Sequence, residues 1–398
     1  MHPADEIRGS KTNLLSNKRI ILALTGSIAA VETIKLSREL IRHGAEVIPV
    51  MTPSARKIIH PDSLWFATGN KPIIELTGET EHVSFCGLVK NPVDLLLICP
   101  CTANTLSKIS HGIDDTTVTT FATTAIGSGV PIMIVPAMHL SMYKHKIIKE
   151  NISKSKKLGI IFIDPVVEKN KAKLENPNII ISNIIRILGK KDFSNKKILV
   201  IGGATTEPID DVRVISNKSS GKTAIELVKN SFFRAADVEL WYGSGKEKPP
   251  KYIKTQNFES LDDLFKLLKS QKIKKFDYIF LCAAISDYSP KKKIGKIKSI
   301  EENLIINLKK TPKLVSYLRK YAKNSKIIGF KLEEDSKKVK ENSYKLLKEN
   351  NLDFVIGNKL SAIGKDDNEI WITGSNKRVI HKSGKKEELT NIILDKVK

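Results

Sequence analysis

RIILALTGSIAAVETIKLSRELIRHG spans residues 19–44 and places a strand, a turn and a helix in succession. The run 19–26 is largely apolar and ends at a glycine, which is typical of a buried strand. Residues 29–44 then carry apolar or small side chains along one helical stripe, and Gly44 predicts where the helix ends. That stripe comprises Ala30, Ile34, Ser37, Leu40 and Ile41. The strand–turn–helix order favours an α/β fold.

The same pattern repeats along the whole chain. Apolar runs at 45–52, 94–100, 130–138 and 158–165 complete the first half, and ILVIGGATTEP opens a second half at residue 198. Further strands are predicted at 236–243, 276–288, 326–332 and 352–358, with a terminal antiparallel pair at 369–374 and 377–384. Because the runs are continuously apolar, we expect parallel strands covered by helices on both faces. We therefore predict two doubly wound, mainly parallel α/β domains, residues 1–188 and 189–398, with a linker at 189–197.

Composition narrows the class of protein. The 398 residues carry 67 Lys and Arg against 43 Asp and Glu, a net charge of +24. The lysines lie in short scattered clusters without interleaved aromatic residues, which argues against a nucleic-acid surface and leaves anionic small substrates or a lysine-rich composition. No apolar run reaches the ~18–20 residues of a membrane helix, and residues 1–16 lack a signal-peptide core. We expect a cytoplasmic protein without a membrane or nucleic-acid partner.

The four cysteines do not form a metal-binding motif. Cys99 and Cys101 are spaced CxC rather than CxxC, and Cys86 and Cys282 stand alone. This spacing fits no zinc ribbon, so buried reduced thiols are expected.

Polar loops follow three predicted strands of the first half. They contain Gly26 and Ser27, then Thr52 and Ser54, then Thr102, Asn104 and Thr105. Free N–H groups at helix starts bind phosphate, and ligands of open parallel sheets lie at the carboxyl ends of strands. Each loop by itself also fits a tight turn. GxGxxG is absent after the first strand, which disfavours an ordinary dinucleotide site.

Five motifs in order give the first half a family resemblance. They are TGSIAA, MTPSA, ETEHVSF, PCTANTLSKISHGIDD and VPAMHLSMY, and residues 18–185 resemble the flavin-containing cysteine decarboxylases. The resemblance implies FMN bound by the three polar loops, with His82 as catalytic base and Met138 at the substrate. Imidazole suits removal of a thiol proton near neutral pH. Without the resemblance, His82 equally fits a surface or capping role.

Two departures from that family bear on catalysis. The usual Pro-Ala-Met-Asn is PAMH here, so His139 replaces the Asn that contacts the substrate carboxylate, and it can also donate a hydrogen bond. The flap over the substrate, residues 166–177, has no Cys and offers Glu168, Lys171 and Lys173 instead. A flavin-binding regulatory subunit with an impaired first domain is therefore the alternative hypothesis.

KSSGKT, residues 218–223, ends like a phosphate-binding P-loop. The GxxxxGK[ST] pattern would require glycine at position 216, which is Ser216, and the preceding strand ends well upstream. The spacing therefore excludes a Walker loop, and with it most of the support for a nucleic-acid-associated NTPase.

A second set of motifs resembles the phosphopantothenate–cysteine ligases. It comprises 202–228, 282–299, 308–315, 327–333 and 352–358, and the fused halves resemble the bifunctional coenzyme A biosynthesis proteins from about residue 18 onward. The resemblance implies CTP-dependent joining of 4′-phosphopantothenate to cysteine through an acyl-cytidylate, followed by decarboxylation to 4′-phosphopantetheine. It also implies trimeric flavin domains and dimeric ligase domains.

The ligase resemblance assigns roles residue by residue. It places Asn217, Ser219, Ser220 and Gly221 at the acyl intermediate, Asp287 at the nucleotide or its Mg²⁺, and Lys296 at the phosphates. Further nucleotide contacts are implied at Ala283, Thr311, Pro312, Lys313, Leu314 and Phe330. The ligase family usually has two lysines shortly before the Leu-Asp pair, which is 352–353 here. Leu346 and Asn350 occupy those two positions, so Lys345 and Lys348 are the lysines expected to contact the nucleotide instead. The residues alone also allow a turn at Asp287, a helix cap at Asn217, a solvated Lys296 and a core Phe330.

Overall fold

The computed structural model describes residues 2–270, 272–298, 303–376 and 378–398. The chain divides into two compact units, residues 1–189 and 190–398. Ser299, the last residue of the 282–299 motif, and Lys377, the first of the last predicted strand, lie outside the described residues. No helix among the described residues is long and apolar enough to cross a membrane.

The first unit alternates strands and helices. Its strands are β1 (Arg19–Leu24), β2 (Glu46–Met51), β3 (Leu95–Cys101), β4 (Ile132–Pro136), β5 (Met138–His139), β6 (Ile161–Phe162), β7 (Val166–Glu168) and β8 (Lys171–Lys173). Its α-helices are α1 (Pro3–Glu6), α2 (Thr33–Arg42), α3 (Pro53–Arg56), α4 (Pro61–Thr68), α5 (Glu81–Cys86), α6 (Ala103–His111), α7 (Thr117–Ser128), α8 (Leu140–Lys144), α9 (Lys146–Lys157) and α10 (Pro177–Leu188).

Five strands of this unit form one parallel sheet in the order β2-β1-β3-β4-β6. Its central strand β3 is buried along its whole length, because every residue from Leu95 to Cys101 is covered by helices. The strand order reverses between β1 and β3, which is where doubly wound sheets bind ligands. The predicted parallel α/β fold is confirmed for this half.

Two details of the first unit differ from the sequence expectation. The segment after Ser27 begins as a 3-10 helix, Ile28–Glu32, and becomes α2 only at Thr33. The flap segment forms the hairpin β7–β8, which pairs with β5 in a separate small sheet of order β5-β8-β7. Short polar strands such as 166–173 lack the apolar pattern by which strands are recognised.

The second unit has twelve strands among the described residues. They are β9 (Lys197–Gly202), β10 (Thr206–Pro208), β11 (Val214–Ser216), β12 (Asp237–Tyr242), β13 (Lys254–Asn257), β14 (Tyr278–Leu281), β15 (Tyr288–Pro290), β16 (Leu308–Lys310), β17 (Lys326–Glu333), β18 (Phe354–Lys359), β19 (Asp367–Gly374) and β20 (Val379–Lys385). The α-helices are α11 (Lys222–Phe233), α12 (Leu261–Lys269), α13 (Val315–Tyr321), α14 (Ser336–Glu349) and α15 (Lys386–Val397), and 3-10 turns cover Lys272–Lys275 and Leu360–Ala362.

Eight of these strands form the main sheet, in the order β13-β12-β9-β14-β17-β18-β19-β20. The first six strands in this order run parallel. The last two, β19 and β20, are antiparallel, as predicted for the terminal pair. Successive residues of β9 alternate between two apolar clusters, Ile198 and Val200 in one and Leu199 and Ile201 in the other. Both faces of the sheet are therefore covered, which explains the continuous apolar runs.

The polar segment 189–197 is not a free linker. Phe193 within it is fully buried in the core of the second unit, beneath the guanidinium of Arg234. Arg234 also forms an ion pair with Asp192. The segment is thus held by the second unit from Asp192 onward, although its composition resembles a linker.

Candidate active sites

The three polar loops of the first unit lie side by side, because they follow the adjacent strands β2, β1 and β3. Each loop caps the helix after it. Ser27 accepts a hydrogen bond from Ala29 N, Thr52 from Ala55 N at 3.2 Å, and Thr102 from Thr105 N at 3.3 Å. The carboxyl edge of the sheet therefore presents three helix starts, where backbone N–H groups attract an anion.

Gly26 allows two of these loops to touch. A Cβ atom at Gly26 would lie 2.6 Å from the Cβ of Ser54, which is closer than side-chain carbons approach. Ser54 and Asn104 are exposed, whereas Thr52 and Thr105 are buried. Gly26 and Ser54 are thus brought together as expected, and only part of the predicted set is available to a ligand by its side chain.

Thr25 joins the first and third loops. Its buried hydroxyl donates to Pro100 O at 2.7 Å and accepts from Thr102 N at 3.0 Å. Thr25 was not among the residues predicted from the sequence, although it stands within the strand–turn segment 19–26. Its position before the glycine was the available signal.

His82 lies in the short helix α5, which packs against α7. Its ring meets the ring of Phe121 edge to face, with centroids 6.5 Å apart. Its Nδ1 is buried and has no hydrogen-bond partner among the described residues. A buried ring nitrogen without a hydrogen-bond partner costs free energy, so His82 is an unusual histidine that needs an explanation.

The segment PAMH meets the flap directly. Met138 pairs with Ala172 and His139 pairs with Lys171 across the β5–β8 ladder. The exposed His139 places Nδ1 2.8 Å from the hydroxyl of Ser141, which orients the ring and leaves Nε2 outside that contact. Glu168 and Lys173 form an ion pair across the hairpin at 2.6 Å. Of the three polar flap residues, two are thus engaged with each other.

A cavity of about 540 Å³ lies at one edge of the second sheet. It collects predicted residues from three separate motifs. Asn217, Ser219, Ser220, Gly221, Ala283, Asp287 and Phe330 all line it. Phe330 lies in β17, and Ala283 and Asp287 follow the neighbouring strand β14. The loop with Asn217 follows β11, which pairs with β10 in a separate two-stranded sheet, so the fold brings together motifs that are far apart in sequence.

The loop 218–221 leads into the start of α11. Gly221 has φ +76°, and a Cβ atom there would collide with the hydroxyl of Tyr242. Gly221 itself offers no side chain to cap the helix, and the adjacent serines partly take that role: Lys222 N donates to the Ser220 hydroxyl at 3.4 Å and Gly221 N to the Ser219 hydroxyl at 3.3 Å. Glycine is therefore required by geometry at this point of SSGK.

Lys222 does not point freely into water. Its Nζ forms an ion pair with Asp366, whose carboxylate raises the pKa of Lys222. Asp366 lies just after the loop that forms the far wall of the cavity. The lysine that resembles a Walker lysine is thus engaged with a carboxylate.

Asp287 is exposed at the cavity and neighbours Thr311. The backbone N–H of Thr311 donates to Asp287 O at 2.9 Å, and its hydroxyl donates to Ser286 O at 2.7 Å. The exposed side chains of Pro312 and Lys313 follow Thr311, but none of the three lines the cavity. Leu314 departs from the expectation, because its side chain is 2% exposed and belongs to the apolar core.

Lys296 lies outside the cavity lining, in an exposed loop that is fastened to the turn between β10 and β11. Asp210, fully buried in that turn, accepts hydrogen bonds from Ile297 N at 3.1 Å and from Arg213 N at 2.6 Å. Burial alone would raise the pKa of Asp210, but these N–H donors and the Arg213 guanidinium hold it well below its usual range. Asp211 adds bonds to Lys292 and to Gly295 N.

Lys345 and Lys348 do not line the cavity either. Lys345 faces Glu349 at 3.9 Å on the exposed side of α14, and the Lys348 Nζ lies 5.6 Å from the centre of the Tyr344 ring. Asn350, at one of the two positions where the ligase resemblance implies lysine, accepts a hydrogen bond from Ser316. The expected substitution of one lysine for another has no geometric support here.

Several cavity residues were missed in the sequence analysis. Lys386, Asn358 and the loop residues Ala362, Ile363 and Gly364 line the cavity together with Lys222 and Thr223. Asn358 ends the quoted motif LDFVIGN, which was a usable signal. Lys386 is one lysine among many in the sequence, and nothing in its neighbours marks it.

The predicted Mg²⁺ site has Asp287 as its single proposed protein ligand. Among the described residues, no group of three or more His, Cys, Asp or Glu side chains is arranged to hold a metal ion. Mg²⁺ usually binds through one or two carboxylates and the substrate's phosphates. One exposed carboxylate beside the cavity fits that mode of binding and does not fit a permanent metal centre.

Comparison with known proteins divides the chain in the same place. Residues 8–189 match the Flavoprotein family, and residues 193–398 match the DNA/pantothenate metabolism flavoprotein C-terminal domain. The coenzyme A biosynthesis bifunctional protein CoaBC of Thermococcus kodakarensis is 43% identical over 379 residues, which cover 94% of this chain and 93% of the relative. The CoaBC protein of Methanocaldococcus jannaschii is 41% identical over 408 residues, covering 100% and 98% of the two chains.

Two solved structures are each similar to about half of the chain. The DNA/pantothenate metabolism flavoprotein from Streptococcus pneumoniae is 25% identical, with a TM-score of 0.46, and covers 51% of this chain and 98% of its own. The FMN-dependent cysteine decarboxylase SpaF is 26% identical, with a TM-score of 0.39, and covers 44% of this chain and 99% of its own.

Proposed function

Because the chain belongs to the family of coenzyme A biosynthesis bifunctional proteins CoaBC, we propose that its first unit decarboxylates phosphopantothenoylcysteine with bound FMN and its second unit makes that compound with CTP. The chain is thus a bifunctional enzyme of coenzyme A biosynthesis, a flavoprotein with decarboxylase and ligase activities. The division of labour, the nucleotide and the residues below are our assignments.

The observation that carries the decarboxylase assignment is the set of three helix starts at one sheet edge. It is supported by His82 on α5, whose buried Nδ1 finds no hydrogen-bond partner in the ranges that the structure describes. The FMN phosphate fits the N–H groups of the Gly26–Ser27, Thr52–Ser54 and Thr102–Thr105 loops. When bound, FMN takes up and returns the electron pair that lets the cysteine carboxylate leave as CO₂.

The residues of the first unit bind the substrate and move one proton. The imidazole of His82 accepts the proton of the substrate thiol, since it is the side chain matched to that step near neutral pH. The Nε2 of His139 donates a hydrogen bond to the substrate carboxylate, with the ring held by the contact between Nδ1 and Ser141. Met138 and the paired flap strand β8 cover the substrate and exclude water.

The ligase assignment is carried by the single cavity that unites Asn217, Asp287 and Phe330. The carboxylate of 4′-phosphopantothenate attacks the α-phosphorus of CTP, and pyrophosphate leaves. The cysteine amine then attacks the acyl carbon, and CMP leaves. Asn217 and the N–H groups of Ser219–Gly221 orient the acyl-cytidylate, Phe330 packs against the base, and Lys296 offsets charge on the phosphates. Asp287 is the carboxylate ligand for Mg²⁺ that enters with the nucleotide.

The test is product analysis with the flavin-loaded full chain. Incubation with 4′-phosphopantothenate, cysteine and one of CTP, ATP, GTP or UTP should yield 4′-phosphopantetheine, CO₂ and CMP only with CTP, as measured by mass spectrometry. Equal turnover with ATP would overturn the nucleotide assignment. Accumulation of phosphopantothenoylcysteine without CO₂ would overturn the decarboxylase assignment and favour a flavin-binding regulatory role for the first unit.

A further inference from the structure

Lys386 is a buried lysine in the wall of the ligase cavity. It is the first residue of α15, its exposed fraction is 6%, and it lines the cavity opposite the loop that carries Asn217. Its ammonium donates to two backbone carbonyl oxygens, Ala362 O at 3.1 Å and Lys365 O at 2.7 Å. The two bonds fix the end of this side chain against the loop 362–365.

The charge of Lys386 has no counter-ion in the part of the chain that the structure describes. The nearest carboxylate in the loop, Asp366, forms its ion pair with Lys222 instead. Burial lowers the pKa of Lys386 and the neighbouring charge of Lys222 lowers it further, whereas the carboxylates of Asp366 and Glu247 raise it and offset only part of that effect. A buried cation that is hydrogen-bonded only to neutral carbonyls lowers the stability of the fold unless an anion balances its charge.

The same wall is otherwise electropositive. Lys222 and Thr223 stand at the N-terminus of α11, a helix of twelve residues whose N-cap residue, Gly221, offers no side chain. The N–H of Lys222 donates to the Ser220 hydroxyl at 3.4 Å, whereas the N–H of Thr223 and the helix dipole favour a negative group at this end of the cavity. An ammonium has three donors, and two of those of Lys386 are engaged, which leaves one for a ligand.

We propose that Lys386 binds a phosphate group of a ligase substrate and that this group is the missing counter-ion. The proposal rests on the ligase function proposed above. Phosphate enters this cavity from two sources, the monoester of 4′-phosphopantothenate and the triphosphate of the nucleotide. A charge-assisted hydrogen bond between ammonium and phosphate then contributes to the affinity for that substrate.

The experiment replaces Lys386 by methionine in the full flavin-loaded chain, which keeps length and apolar stem but removes the charge. Lys396→Met, an exposed lysine on the last turn of the same helix, is the matched control. The KM for 4′-phosphopantothenate or for CTP should rise about ten- to a hundredfold in Lys386→Met. The kcat of the ligase and the decarboxylase rate should remain near those of the control.

Melting temperatures separate substrate binding from a structural role. Without ligand, Lys386→Met should melt at or above the wild-type temperature, since it removes an uncompensated buried charge. The rise in melting temperature caused by the bound substrate should shrink in this variant and return in Lys386→Arg. Pantothenate, which lacks the phosphate, and cytidine serve as the unphosphorylated probes and should stabilise all variants equally.

Each outcome decides the matter. A raised KM for 4′-phosphopantothenate assigns the monoester, and a raised KM for CTP assigns the triphosphate. Unchanged KM values for both, or a lower melting temperature of the unliganded Lys386→Met, would overturn the proposal. If the wild-type chain makes no phosphopantothenoylcysteine from CTP, the proposed ligase function fails first, independently of Lys386.

Discussion

The buried Nδ1 of His82 has no hydrogen-bond partner in the described part of the chain, and we propose that this histidine serves the decarboxylase activity only. His82→Asn removes the proton acceptor, so decarboxylation should fall by a factor of 10² or more, as is usual for loss of a general base. Ligase activity should stay unchanged. The measurement is CO₂ release from synthetic phosphopantothenoylcysteine by the flavin-loaded variant.

His60→Asn is the matched control for that substitution. His60 is an exposed residue that caps α4, and asparagine caps helices equally well. The control should keep both activities and the flavin spectrum. Normal CO₂ release by the His82 variant would show that another group takes the thiol proton.

The four cysteines should be inert in the native enzyme. Burial raises the pKa of Cys86 and of Cys282 to about 12, and it raises the pKa of Cys99 and Cys101 as well. At pH 8 a thiol of pKa about 12 is ionised in roughly one molecule of 10,000, and the thiolate is the reactive form. Titration with a chromogenic disulfide should detect no thiol in the native chain and four after denaturation; fast reaction of a native thiol would contradict this burial.

Single residues were predictable where a motif reports a backbone constraint. Gly26 and Gly221 stand where a side chain would collide with Ser54 or Tyr242, so their motifs could be recognised from the sequence. Lys345 and Lys348 had only their proximity to a motif in their favour, and both lie outside the cavity lining. Lys386 could not be found, because its burial depends on tertiary packing of α15 rather than on neighbouring residues.

At the scale of elements, the turn between β10 and β11 fastens the loop that carries Lys296. Asp210 accepts hydrogen bonds from N–H groups of its own turn and from Ile297 N in the Lys296 loop. The β10–β11 hairpin that contains this turn ends next to Asn217. Asp210→Asn replaces an ionised acceptor by an amide that brings its own donors toward Arg213 and Ile297. The kcat of the ligase should fall about tenfold or more, with the KM for cysteine little changed.

Asp263→Asn provides the control for Asp210, since this carboxylate also accepts backbone and hydroxyl bonds, at the start of α12. It should lower stability slightly without changing ligase kcat. In a double-variant cycle, Asp210→Asn should add little to the loss caused by Lys296→Gln if the turn acts through Lys296. If the fold-losses in kcat of the two single variants multiply in the double variant, Asp210 acts independently of Lys296 and supports the fold in general.

Elements were predictable in proportion to their burial. The strands β1, β2 and β3 are continuously buried and could be recognised by their apolar runs. The flap hairpin β7–β8 is polar, and its pairing with β5 depends on the chain returning from α9, which no local pattern reports. The segment 189–197 resembles a linker by composition, yet Phe193 anchors it in the second core.

At the scale of the whole molecule, each half forms its own sheet and its own compact unit, which is why one sequence carries two complete sets of motifs. The order of motifs was sufficient to predict two parallel α/β sheets. The cavity was less predictable, because β14 and β17 become neighbours only in the folded sheet, and the loop after β11, a strand outside that sheet, reaches them only through tertiary packing.

Two separately placed sites predict that two defective chains complement each other. His82→Asn should make phosphopantothenoylcysteine but not decarboxylate it, and Asn217→Asp should decarboxylate added phosphopantothenoylcysteine but not make it. An equimolar mixture should convert 4′-phosphopantothenate, cysteine and CTP to 4′-phosphopantetheine, because the intermediate diffuses from one site to the other. Production of 4′-phosphopantetheine in a coupled time course should show a lag that shortens as enzyme concentration rises. Absence of product from the mixture, with each single activity intact, would mean that the intermediate passes only within one assembly.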